Sequence, residues 1–148
     1  MTRTMLILLA AVAACQVPGP RPVEFGSEAC RHCHMTVADE RFVSQLITHT
    51  GKILVFDDVG CLLSALEDEI VPSEKIARIW VTNFLTTDSL LEAQAAWFVA
   101  APASVATPMA SGLLAVATAQ EADSLAVLLQ GKVLQWPELR QSDQQHPH

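Results

Sequence analysis

The feature that most narrows the possible folds is a pattern that occurs twice. Residues 42–49, FVSQLITH, and 53–56, ILVF, are short β-rich runs around a Thr-Gly-Lys turn, the signature of a hairpin. Val59, Leu62, Leu63, Leu66 and Ile70 then recur at helical spacing up to Pro72, behind Asp57 and Asp58 as candidate caps, and KIARIWVTNF reads as a strand. The second half repeats the order. AAWFVAA and SGLLAVAT are strand candidates, AQEADSLAVLLQ has a helix's leucine spacing and stops before Gly131, and KVLQW closes as a strand. The simplest account is an α+β fold made of two ββαβ units in tandem, residues 29–87 and 88–140, each helix covering one face of a small sheet. The boundary falls in TTDSL, and the 148 residues suffice for one compact domain or two very small ones with a shared core.

Residues 1–14 stand apart from this pattern. Arg3 is followed by an apolar run from Met5 to Ala14, too short to span a bilayer and typical of an export signal. The run ends Val12-Ala13-Ala14-Cys15, which resembles the lipobox of bacterial lipoproteins. Cleavage there leaves Cys15 as a lipidated first residue, anchored to the periplasmic or cell-surface face of a bacterial membrane. Residues 15–28, rich in proline and glycine, read as a tether, and residues 141–148 as a polar, disordered tail. Formal charge is −7, and −8 once Arg3 is removed, so no basic face is offered to nucleic acid.

Removing the signal also changes the sulfur inventory. Of four methionines only Met35 and Met109 remain, and of four cysteines Cys30, Cys33 and Cys61 keep free thiols. An exported chain that uses cysteine for stapling usually pairs all of them, so an odd number points to metal or redox chemistry. The densest cluster is CRHCHM, residues 30–35. Cys30, Cys33 and His34 spell C-x-x-C-H, the pattern of covalent haem attachment, and a small c-type cytochrome is one reading. A thiol–disulfide oxidoreductase using Cys30 and Cys33 is another, although that chemistry favours a helix beginning at the first cysteine. Zinc would take Cys30, Cys33, Cys61 and a histidine. Cys30, Cys33 and Met35 form a soft, low-coordinate set that suits Cu(I), which leads on spacing; positions two apart in an extended segment face the same way, so Cys33 and Met35 would point together.

The segment from Glu28 to Leu66, with its C-x-M at Cys33 and Met35 and its FDDVGCL block at 56–62, together with AAWFV at 95–99 and TPMASG at 107–112, resembles the NosL family of lipoprotein copper chaperones. The resemblance runs from the lipobox to about Glu138. It implies a pair of ββαβ units related to part of organomercurial lyase, Cu(I) as cargo, and delivery to nitrous oxide reductase or a similar copper enzyme through an ABC-transporter-type assembly complex. It also implies Cys33 and Met35 as core ligands, with Cys30 a third donor and Met109 either a fourth or core filling. Cys61, in the first turn of its helix, is either a buried small side chain or an accessory ligand. Two positions depart from the family pattern: His34 stands where glycine or glutamine is common, and Ala110 where glycine is usual. Cys30 and Cys61 are further thiols that many relatives from denitrifiers lack. No nucleophile, base and oxyanion arrangement suggests an enzyme.

Overall fold

The computed structural model describes residues 17–143. The export signal, Cys15 and residues 144–148 lie outside the described residues. Seven strands and three helices follow in the order β1 (Ser44–Thr48), β2 (Ile53–Phe56), α1 (Val59–Glu67), β3 (Ile76–Thr82), β4 (Leu90–Glu92), β5 (Trp97–Ala100), β6 (Leu113–Val116), α2 (Ala119–Leu129), β7 (Lys132–Gln135) and α3 (Trp136–Asp143). All strand pairs within the two sheets are antiparallel: β2-β1-β3-β4 in the first sheet and β6-β5-β7 in the second. β1-β2-α1-β3 and β5-β6-α2-β7 therefore have the same topology, as the repeated sequence pattern predicts. Among the described residues no helix is long and apolar enough to cross a membrane.

At nine residues α1 is too short to hold itself together in water. Burial does the work: Val59, Leu62, Leu63 and Leu66 are all buried, each contributing about 1.5–3 kcal/mol. The helix packs on β1 and β2 and also on β6 and α3, so it belongs to both halves, and the main core mixes Leu46, Phe56 and Leu62 with Phe98, Leu113 and Leu134. A smaller core of Val99, Leu114, Val116 and Leu125 lies under α2. The sheets also meet directly through a parallel bridge between Asn83 and Ala115, where the Phe84 N–H donates to the Ala115 carbonyl at 2.8 Å.

Three boundaries differ from the sequence reading. Leu90–Glu92 pairs with β3, so the stretch TTDSL is a turn at residues 86–89 leading into a strand of the first sheet rather than the seam between units, and the first unit runs past residue 87. The stretch read as a tether is docked from Arg21 onward. All five residues of β1 are buried, and the side chain of Gln45, 1% exposed, exchanges two hydrogen bonds with the Arg21 backbone at 3.0 and 2.7 Å. Arg21 also pairs with Glu28, and Val23 packs on the core. Finally, α3 begins at Trp136 and continues to Asp143, three residues into the stretch read as a tail. Its start carries Pro137 in the first turn and Glu138, whose Oε2 accepts from the Gln135 N–H at 2.8 Å.

Candidate metal centre

The CRHCHM segment folds into a knuckle. A bridge between Ala29 and Thr36 closes its base, the Cys30 N–H donates to the Met35 carbonyl at 2.8 Å, and the His34 N–H donates to the Cys30 carbonyl at 3.1 Å. The Arg31 N–H bonds the Val55 carbonyl at 2.8 Å, which fastens the knuckle beside the end of β2. To close so tightly the chain takes a left-handed conformation at His34, φ 63°. That bend breaks the extended geometry in which Cys33 and Met35 would face together. The Met35 N–H turns to the Cys33 sulfur, while the Met35 side chain is 57% exposed.

The other wall is the start of α1. Asp58, fully buried, caps the helix: its Oδ1 accepts from the Cys61 N–H at 2.7 Å. Its Oδ2 accepts from the Thr107 hydroxyl, the Met109 N–H and the Ser111 hydroxyl, each at 3.0 Å. One carboxylate thus ties the TPMASG loop of the second half to the first turn of α1. The fit is close, because a Cβ on Gly60 would come within 2.6 Å of the Ser111 Cβ. Ala110, in the same loop, has φ 56°. Both positions where the family commonly carries glycine are therefore left-handed here.

Asp57 does something else. Sequence alone treats the two aspartates alike, as candidate caps; both are buried, and only Asp58 caps. Neighbours in an extended stretch point to opposite sides, so with Asp58 turned to the helix Asp57 turns to the knuckle. Its Oδ2 accepts from the Cys33 thiol at 3.4 Å, and its buried Oδ1 has no hydrogen-bond partner. Donor atoms of Cys30, Cys33, Asp57 and Cys61 all lie within 4.8 Å of one another. The three cysteines are free thiols, two of them buried.

Protons are shared unevenly among the three sulfurs. The Cys30 thiol is drawn down to about 6, first by the hydrogen bond from Cys61 and further by backbone N–H groups of Asp57, Cys33 and His32, against an opposing desolvation. Burial pushes Cys33 up to about 11, despite the Met35 N–H. Cys61 is also raised, because it donates to Cys30 and sits, desolvated, beside Asp57. Cys30 is thus the sulfur that gives up its proton most readily, accepting from Cys61 and from a row of amides.

Of the residues expected at the site, Cys30, Cys33 and Cys61 converge, and Asp57 joins them. Met109 is 43% exposed and lines a cleft of about 850 Å³ together with His32, Cys61, Leu113, Leu134 and Leu139. A haem-attachment motif needs both thiols and the imidazole facing one open pocket. Here Cys30 is fully buried among the other sulfurs and His34 is exposed. His32, not His34, lies beside the cleft, with Nε2 3.2 Å from Asp68 Oδ2 and Nδ1 buried without a partner.

The NosL family model matches residues 22–143. The crystal structure of the copper chaperone NosL from Shewanella denitrificans is similar to this fold with a TM-score of 0.72 at 20% identity, over 84% of this chain and 98% of that one. No curated protein sequence matches the chain.

Proposed function

This chain belongs to the NosL family, and from that premise we propose that it carries Cu(I) at the membrane surface, tethered through Cys15, and delivers it to an exported copper enzyme. The observation that carries the proposal is the convergence of Cys30, Cys33 and Cys61 at the junction of the knuckle with α1. Thiolates suit cuprous copper, and Cys30, whose thiol is drawn down by the Cys61 hydrogen bond and the surrounding amides, gives the ion a first point of attachment. Cys33 and a second thiol then complete a low-coordinate site.

Delivery follows from the placement of the methionines. Met35 and Met109 carry exposed thioethers at the knuckle and on the loop that Asp58 holds over α1. Thioethers bind Cu(I) without carrying charge and release it more readily than thiolates. A partner's sulfur or imidazole enters at this rim before the buried thiolates leave, so the ion is never free. Nitrous oxide reductase, reached through an ABC-transporter-type assembly complex, is the recipient we propose, at the periplasmic or cell-surface face.

Anaerobic titration of the reduced chain against a cuprous chelator tests this reading. The expected result is one Cu(I) per chain, weakened at least about 100-fold by Cys33→Ser and about 10-fold by Met35→Ala, on the scale of losing a strong and a weak metal contact. Failure of the chain to compete with the chelator would sink it.

A further inference from the structure

The link between the proposed anchor and the folded chain is very short. Only Gln16 and Val17 separate Cys15 from Pro18, and three residues reach at most about 10 Å. Pro18 is seated against the turn between β1 and β2: a Cβ built on Gly51 would lie 3.5 Å from the Pro18 Cγ. From there the chain crosses the first sheet to Arg21, whose backbone Gln45 holds, and runs on to the knuckle. It crosses on the face opposite α1, because Gln45 alternates with Leu46, which packs in the main core with Leu62. An acyl group on Cys15 therefore leaves the molecule at the β1–β2 turn. Asp57 and the knuckle lie at the other end of β2, five strand steps from Lys52 or about 17 Å.

The same turn gathers positive charge in an acidic chain. The sequence has three lysines, and two of them meet here: Lys52 in the turn, and Lys75, whose carbonyl accepts from the His49 N–H at 3.0 Å. Both are exposed, and neither forms an ion pair among the described residues. Glu74 is the adjacent acid; Glu67 and Asp68 end α1, on the other face of the sheet, with Asp68 turned to His32. The turn is stiff. The Thr48 N–H donates to the Lys52 carbonyl at 2.9 Å, and Thr48 Oγ1 accepts from the Lys52 N–H at 3.0 Å. We propose that the β1–β2 turn is the membrane-facing pole of the protein, where Lys52 and Lys75 meet the phosphates of anionic phospholipid headgroups.

The inference rests on the Cys15 anchor proposed above, and adds to it an orientation. A link of three residues keeps the turn at the bilayer surface, so the two lysines act at high local concentration on the headgroups. The rest of the chain, at a formal charge of −7, is repelled by the same surface and turns away from it. The knuckle, and the Met109 loop that Asp58 ties to the start of α1, then face the aqueous compartment. A recipient reaches the sulfur cluster from the water side, without passing between the protein and the lipid.

Amine acetylation, read residue by residue in a mass spectrometer, tests this, and the third lysine supplies the control. Lys132 is exposed and pairs with Ala100, which lines the cleft beside Met109 at the opposite pole. On the acylated chain in phosphatidylglycerol vesicles, Lys52 and Lys75 should react at least about five-fold more slowly, relative to Lys132, than on the unacylated Cys15→Ser chain in buffer. In phosphatidylcholine vesicles most of that protection should be lost. Three lysines that slow together, slower reaction at Lys132 than at Lys52, or equal protection in the two lipids overturns the proposal. A mature chain whose Cys15 carries no acyl group overturns the anchoring in the carrier reading and this inference with it. An acylated chain whose three lysines react alike overturns this inference alone, and Cu(I) uptake in the chelator titration is unaffected by that result.

Discussion

α1 and α2 begin at equivalent points, each just after the second strand of its unit, yet one start is sealed and the other is a site. At α2 the cap is self-contained: Thr118 Oγ1 accepts from the Glu121 N–H, and Glu121 Oε2 accepts from the Thr118 N–H, a capping box open to water. At α1 the corresponding positions are Asp58 and Cys61. Asp58 caps with one oxygen and holds the other half's loop with the second, and Cys61 turns a thiol into the cluster. The preceding residues diverge likewise, Asp57 buried and Ala117 exposed. A duplicated scaffold thus carries a candidate metal centre in one unit because three residues at a single helix start, Asp57, Asp58 and Cys61, make long-range rather than purely local contacts.

Removing the two caps should expose this difference first and most strongly. Asp58→Ala deprives a helix start, two hydroxyls and an amide of their acceptor, and should cost about 3–5 kcal/mol in urea unfolding, whereas Thr118→Ala should cost about 1 kcal/mol. Equal costs would mean that the two starts are energetically alike.

Next comes pH. A thiol whose folded pKa lies below its unfolded value contributes its stability in full above the unfolded value, near 8.5, and loses it as pH falls through the folded one. Cys30, at about 6, should therefore make the reduced, metal-free chain gain stability from pH 6 upward. Cys33 lies above the ordinary value, at about 11, and acts in the opposite sense, its contribution fading as the solution turns alkaline. Unfolding midpoints measured from pH 5 to 10 should peak at about pH 8–8.5, at or just below the unfolded thiol value, and Cys30→Ser should flatten the acid side. A profile unchanged by that substitution would remove the thiolate from the account. No comparable dependence arises at the start of α2, which has no thiol.

How much of this was legible beforehand varies with the kind of signal. The tandem ββαβ order followed from alternation and leucine spacing, because both are set by faces that must be buried. β4 escaped because Leu90–Glu92 is only three residues long and follows a run of turn formers. α3 escaped because Trp136 reads as the end of a strand, although Pro137 and Glu138 are helix-start signals. Gln45 gave no hint that it would hold the Arg21 backbone, since a polar residue in a strand reads as facing water. The three thiols were visible as candidates, but the division of labour between Asp57 and Asp58 was not, for it depends on which of two adjacent carboxylates faces the helix.

The smallest effect concerns the two departures from the family pattern. A side chain in the left-handed region costs about 1–2 kcal/mol, partly offset by glycine's greater freedom when unfolded. Ala110→Gly and His34→Gly should each stabilise the chain by about 0.5–1 kcal/mol in the same urea assay. Destabilisation at Ala110 would show that the loop over α1 depends on the methyl group. At His34 it would show that the imidazole makes a contact worth more than the backbone strain.

The bridge from Asn83 to Ala115, with the core that α1 shares between the sheets, means that the two units cannot part like jaws. On the proposed carrier reading, loading and unloading fall to the short segments at the rim, the knuckle bearing Met35 and the loop bearing Met109, which have little mass to move and no sheet to unzip. If the chain carries copper as proposed, it would keep its frame fixed and change hands at the fingertips, so its exchange rate should be governed by the approach of the recipient rather than by any slow opening of its own.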